Sequence, residues 1–217
     1  MNTPRHDIYA FIHKGLRAFM AHTLVRTGRL DVHDAAEVAE VSEELRALLT
    51  ICLHHLDNEN TYVHTAIAAR QPGTCDRIAH EHVEHEASIA ELEDMIAALP
   101  GDAAALRRLY LRLSVFVAEN FEHMQREETQ MNETLWATHS DEEIMAIEQR
   151  IIASHKPQEM QLALRWMLPH LSPEERTAML GGMRANAPAE DFVGVLGLIR
   201  PLLGGRDWRK LSQALGL

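Results

Sequence analysis

Seven side chains in this chain have the types and spacing for metal chemistry: His13, His55, Glu59, His82, His85, His123 and Glu127. Two of the pairs, His55/Glu59 and His123/Glu127, are His-x-x-x-Glu. On a helix that spacing puts imidazole and carboxylate on one face, a turn apart. Neutral imidazole with carboxylate suits Fe, Mn or Zn, and a carboxylate can bridge two ions. Two such pairs from facing helices, joined by histidines from two further helices, supply enough donors for a two-metal site. A hydrogen-bonded polar layer fixing bundle register is the alternative. It would not need so many groups.

The elements that must position these residues read as helices throughout. Alanine, leucine, glutamate and arginine dominate, and β-branched and aromatic runs are scarce. Breakers mark four long helices. The first runs from about Pro4 to Thr27 and the second from Asp34 to about Arg70, before "QPG". The third opens at Thr74 as its cap and stops near Pro100. The fourth is capped by Asp102 and reaches about Thr138. Short loops between long helices predict an all-α, up-down-up-down four-helix bundle over residues 1–139. Beyond it, "SDEE" at Ser140 and "SPEE" at Ser172 are capping boxes, and prolines cut the chain into short helices. Residues 140–217 are therefore expected to form a C-terminal appendage of short helices. Its apolar surface is expected to pack on the bundle and to support self-association into a homo-oligomer.

Each long helix carries an apolar stripe interrupted by imidazole or carboxylate. The stripes are Tyr9, His13, Leu16, Met20; Leu45, Leu48, Cys52, His55, Glu59, Tyr62, Ala66; Ile78, His82, His85, Ile89, Leu92; and Leu113, Phe116, Asn120, His123, Glu127. In an antiparallel bundle the interruptions stand about 13–19 Å from one shared end, at a rise of 1.5 Å per residue. They therefore fall in one layer. Several ionisable groups in an apolar core cost several kcal/mol each unless paired or metal-bound. His54 turns away from His55, and His64, nine residues on, falls on the opposite side of an unbroken helix; neither is expected to be a ligand. Asn120, Tyr9 and Tyr62 are candidates to hydrogen-bond to ligands, with filling of the core the alternative for the two tyrosines. Cys52 is expected in the core. Cys75, at a helix start, is a candidate for a lowered pKa.

"IHKGLR", "HLDNE", "HVEH" and "HMQREE", one per helix and in this order, resemble the hemerythrin-type HHE cation-binding family over roughly residues 4–138. The resemblance implies a non-haem di-iron centre inside the bundle, with Glu59 and Glu127 bridging. Two features depart from oxygen-carrying hemerythrin. The third helix has its histidines three apart rather than four. The fourth has Glu127 four residues after His123, rather than an aspartate five after. The expected cofactor is two iron ions, with Mn and Zn fitting the same donors. The histidine-rich set leaves few open positions and no evident acid–base residue. That favours binding or sensing of a small diatomic ligand, oxygen or nitric oxide, or the handling of iron; an iron-dependent oxidoreductase acting on peroxide or oxygen is the alternative.

A net charge of −11 leaves no basic face for nucleic acid. The longest apolar run, "FVGVLGLIRPLLGG", is broken by Arg200 and Pro201 and is too short to span a membrane. With no leader-like N-terminus and two unpaired cysteines, a cytoplasmic location is expected.

Overall fold

The computed structural model describes residues 5–99 and 102–217. The expected helix start at Pro4 and stop at Pro100 lie outside these. All the regular structure among the described residues is helical. In chain order the helices are α1 (Ala10–Gly28), α2 (Ala35–Asn58), α3 (Thr65–Arg70), α4 (Asp76–Ala97), α5 (Ala103–Arg126), α6 (Asn132–Thr138), α7 (Asp141–Ser154), α8 (Pro157–His170), α9 (Pro173–Asn186), α10 (Ala189–Ile199) and α11 (Gly205–Leu215). No helix of the described residues is long and apolar enough to cross a membrane.

Local chemistry sets most of the boundaries. The Asp34 carboxylate accepts from the backbone N–H groups of Ala36 and Glu37, and Asp102 accepts from Ala104. Both capping boxes close: Ser140 with Glu143, and Ser172 with Glu175. Thr74 does not cap α4, which opens two residues later at Asp76. The turn before it holds Gly73 at φ +83°, a conformation that favours glycine. Asp7, which no sequence pattern marks as a cap, accepts from Tyr9 and Ala10 N–H and so begins α1.

Two stretches leave the α-helical period. Glu59–His64 and Glu127–Met131 are π-helical turns, the first joining α2 to α3 and the second joining α5 to α6. Each absorbs an extra residue into an otherwise continuous helix, and such turns recur at functional sites. In the first, the Thr65 hydroxyl donates to the Asn60 carbonyl, five residues back.

The chain divides into two compact units: Met1–Ala10 with Phe19–Ser154, and Phe11–Ala18 with His155–Leu217. In the first, α2 packs on α4, α4 on α5, and α3 on α6. One end is closed by Tyr9, Val63, Ile67, Ile78, Leu135 and Ile144. The first unit includes α7. The reason lies in its contacts: Ile144 and Ile147 join that core, and Asp141 and Glu143 take Arg5 and Arg70.

In the second unit α8 packs on α10 and α9 on α11 around Leu164, Leu168, Leu180, Ile199 and Leu211. Arg176 is buried there. Its guanidinium donates to the carbonyls of Leu168, Pro169 and Leu171, at 2.7, 3.0 and 2.8 Å, closing the C-terminus of α8. Gly15 belongs to this unit. A Cβ placed on it would lie 2.9 Å from Met167 Cγ and 3.1 Å from the Met167 backbone, so even a methyl group would force α8 to shift.

Candidate metal centre

Within the first unit, Glu59, His82, His123 and Glu127 each offer a donor atom within 4.8 Å of the others, and all four are buried. His55 joins the same two carboxylates on the other side. Each component comes from a different part of the helical frame. His55 is near the end of α2, His82 is on α4, His123 is near the end of α5, and the two glutamates open the π-helical turns.

The hydrogen-bond partners fix where the lone pairs point. His123 Nδ1 lies 2.9 Å from Glu81 Oε2, and a carboxylate oxygen only accepts. Nδ1 therefore carries a proton, and in the neutral ring Nε2 presents its lone pair inward. His82 Nδ1 lies 2.9 Å from Asn60 Oδ1 and is oriented the same way. The two Nε2 atoms are 3.1 Å apart. Glu127 Oε1 is 3.0 Å from His123 Nε2 and 3.5 Å from His82 Nε2, and Glu59 Oε2 is 3.4 Å from His82 Nε2. The other oxygen of Glu59, Oε1, faces His55 Nε2 at 3.2 Å. So four donor atoms converge, and one carboxylate addresses imidazoles on both of its sides.

This arrangement fits a cation. Metal–nitrogen and metal–oxygen distances of about 2.0–2.2 Å put neighbouring donors roughly 3.0–3.5 Å apart in octahedral or tetrahedral geometry. The observed separations are of that size. Electrostatics agree: burial pushes the Glu59 carboxyl well above its usual range, and the neighbouring Glu127 pushes it further. Burial lowers the His123 pKa, but hydrogen bonding to Glu127 and Glu81 outweighs it, and the net direction is up. Two buried carboxylates repel unless protons or a metal ion sit between them.

Supporting groups hold the donors in place. Glu81 also takes Arg126 Nε and Nη2 at 3.2 and 3.0 Å and Arg77 Nε at 3.0 Å. That is the carboxylate–histidine arrangement common behind metal ligands. Nothing in the sequence pattern singled out Glu81, since it sits a hundred degrees off the stripe from His82.

His64 differs from its expected position. It is buried, its ring stacks on that of His82 at 5.0 Å between centroids, and its Nε2 has no hydrogen-bond partner. The π-helical turn is the cause: one extra residue rotates the succeeding residues by about 100° and swings His64 from the far side to the interior. His85 is likewise buried, edge-on to His123 at 4.8 Å, but belongs to neither donor grouping. Burial first, and then nearby histidines, lower the pKa of both His64 and His85 to about 4.

His13 is fully buried on α1. His54 is half-buried, and His80 is exposed and paired with Glu84 at 3.6 Å. Asn120 donates to the Phe116 carbonyl rather than to a ligand. Tyr62 lies under the Arg150 guanidinium at 5.1 Å, while Tyr9 is buried. Cys75, expected as a candidate for a lowered pKa, has its thiol pushed up to about 11 by burial. Cys52 is pushed up to about 12 for the same reason. Both cysteines are free.

The family model for the hemerythrin HHE cation binding domain matches residues 6–135. The chain belongs to that family. Neither the curated proteins nor the solved structures gave a match. The hemerythrin match spans α1 through most of α6, and so contains every donor described above and both π-helical turns. A cation-binding function for the hemerythrin domain agrees with its converging histidines and glutamates.

Proposed function

We propose that the protein is a non-haem di-iron protein that binds or senses a small ligand, oxygen or nitric oxide, inside an up-down-up-down four-helix bundle. The supporting observation is that Glu59 and Glu127 belong both to the grouping with His82 and His123 and to that with His55. Shared carboxylates between two nitrogen-donor sets are what a two-ion centre needs. In this reading His82 and His123 would hold one ion and His55 the other, with Glu59 and Glu127 offering oxygens to both.

Iron bound here would supply open coordination positions and redox-active electrons. The chain's own residues do the rest. Glu81 and Asn60 keep the Nε2 lone pairs of His123 and His82 directed inward. Tyr9, Val63, Ile67 and Met131 cover one end with a buried apolar cluster. His64 and His85 border the His82/His123 pair with neutral rings, adding no positive charge where a cation must sit. Manganese or zinc could occupy the same donors. The acidic chain gives no support for a nucleic-acid or membrane partner, and a cytoplasmic location is part of this proposal.

Elemental analysis of protein produced with added iron should find two ions per chain, and the air-exposed protein should show near-ultraviolet charge-transfer absorption that responds to azide or nitric oxide. His55→Ala should lower the metal content, while His54→Ala should leave it unchanged. Less than one ion per chain in folded protein overturns the reading.

A further inference from the structure

A groove of about 450 Å³ opens between α4 and α5, beside the centre. Its lining includes Glu81, Glu84, His85, Glu119, Glu122 and Arg126. Four carboxylates thus line it with one guanidinium, and a second, that of Arg112, reaches its edge at Ser88. Glu84, Glu119 and Glu122 are exposed, and their ion pairs are loose: Glu119 lies 3.9 Å from Arg112, Glu122 3.6 Å from Arg126, and Glu84 3.6 Å from His80. Exposed pairs of this kind contribute about 0–1 kcal/mol, so a divalent cation competes with them readily.

The inner wall is different in kind. His85 is only 5% exposed, and its Nδ1 has no hydrogen-bond partner. An imidazole nitrogen left unsatisfied in a buried position is costly unless something visits it. The His85 ring stands 4.8 Å from that of His123, and Glu81 accepts from His123 Nδ1. The groove therefore ends one imidazole away from the donors of the centre. Its mouth offers hard oxygen donors and its inner wall holds an imidazole, a sequence through which a cation can be handed inward.

We propose that the α4–α5 groove is a transient divalent-cation site that loads the centre, with Glu84, Glu119 and Glu122 gathering the ion and His85 receiving it beside His123. This rests on the di-metal reading above, because it needs a centre to fill. Acidic clefts raise the local cation concentration and the association rate by about 10–1000-fold, an effect that fades with salt.

The test is stopped-flow uptake of Co²⁺ by metal-free full-length protein, followed by its visible absorption, with final cobalt content measured separately. The combined Glu84→Gln, Glu119→Gln, Glu122→Gln variant should fill about tenfold more slowly at low ionic strength. The difference should close at high salt. The same charge change made outside the groove, at Glu40, Glu43 and Glu133, should have little effect. His85→Asn should slow uptake at every ionic strength. Equal rates for wild type and the groove variant, with both filling, overturn the route and leave the centre standing. If His85→Asn loses half or more of its final cobalt, His85 is a ligand of the centre and the route is also overturned. Wild-type protein that takes up no cobalt overturns the centre and the route together.

Discussion

Replacing His64 by leucine should make the metal-free protein more resistant to acid. The native His64 imidazole has its pKa lowered to about 4, chiefly by burial and then by His82, whereas an unfolded histidine titrates near 6.5. A lowered native pKa contributes stability above the unfolded value, and that contribution is lost as pH falls from about 6.5 towards 4. At pH 4.5 nearly every unfolded imidazole is protonated but only about a quarter of native ones are, and the resulting penalty is roughly 2 kcal/mol relative to pH 7. Below pH 4 it approaches roughly 3 kcal/mol. The leucine variant carries a pH-independent change from packing, which cancels when each protein is compared with itself. Glu59 acts in the opposite direction, since a raised carboxyl pKa favours the native state at low pH, and it is common to both proteins. The assay is urea unfolding in the presence of a chelator at pH 7 and pH 4.5. Wild type should lose about 2 kcal/mol more than His64→Leu between the two. Equal losses would mean that His64 faces water, as an unbroken helix would have it, and the account of the π-helical turn would fail.

Glu81→Gln keeps the shape of the side chain behind His123 but removes its charge and so weakens its hold on the Nδ1 proton; chelator competition should show metal affinity lowered about 10–100-fold, with Glu84→Gln unchanged at equilibrium. Gly15→Ala places a methyl group against the Met167 backbone and should cost about 1–3 kcal/mol in thermal or urea unfolding.

The donor residues were legible because the apolar stripes were regular up to them. Val41, Leu45, Leu48 and Cys52 on α2, and Ile78, His82, His85, Ile89 and Leu92 on α4, are all buried as the helical period requires. Beyond Glu59 the same arithmetic drifts. It points to Tyr62 and Ala66, which are half-buried, whereas Val63, His64 and Ile67 are the buried set. The displacement is one residue, the extra one held in the π-helical turn. No residue type announces such a turn, so a constant helical period misplaces every side chain between the turn and the end of α3. Glu81 was missed for another reason: its role comes from a residue on a different helix, and on α4 alone it resembles an ordinary surface glutamate.

The two widened turns also give the hemerythrin domain a hidden duplication. In each case the last turn of an α-helix holds an imidazole, a carboxylate follows four residues later, the turn widens at that carboxylate, and a short helix continues. "ENTYVH" and "EETQM" share little beyond the first glutamate, so the correspondence is invisible as sequence similarity. It is a repeat of form. Each half-motif offers one nitrogen and one oxygen donor atom, and each carries the same one-residue insertion at the same place. Deleting a residue between Asn60 and Val63 would remove that equivalence. It would turn Thr65–Arg70 by about 100°, taking Ile67 out of the core and Arg70 away from Glu143.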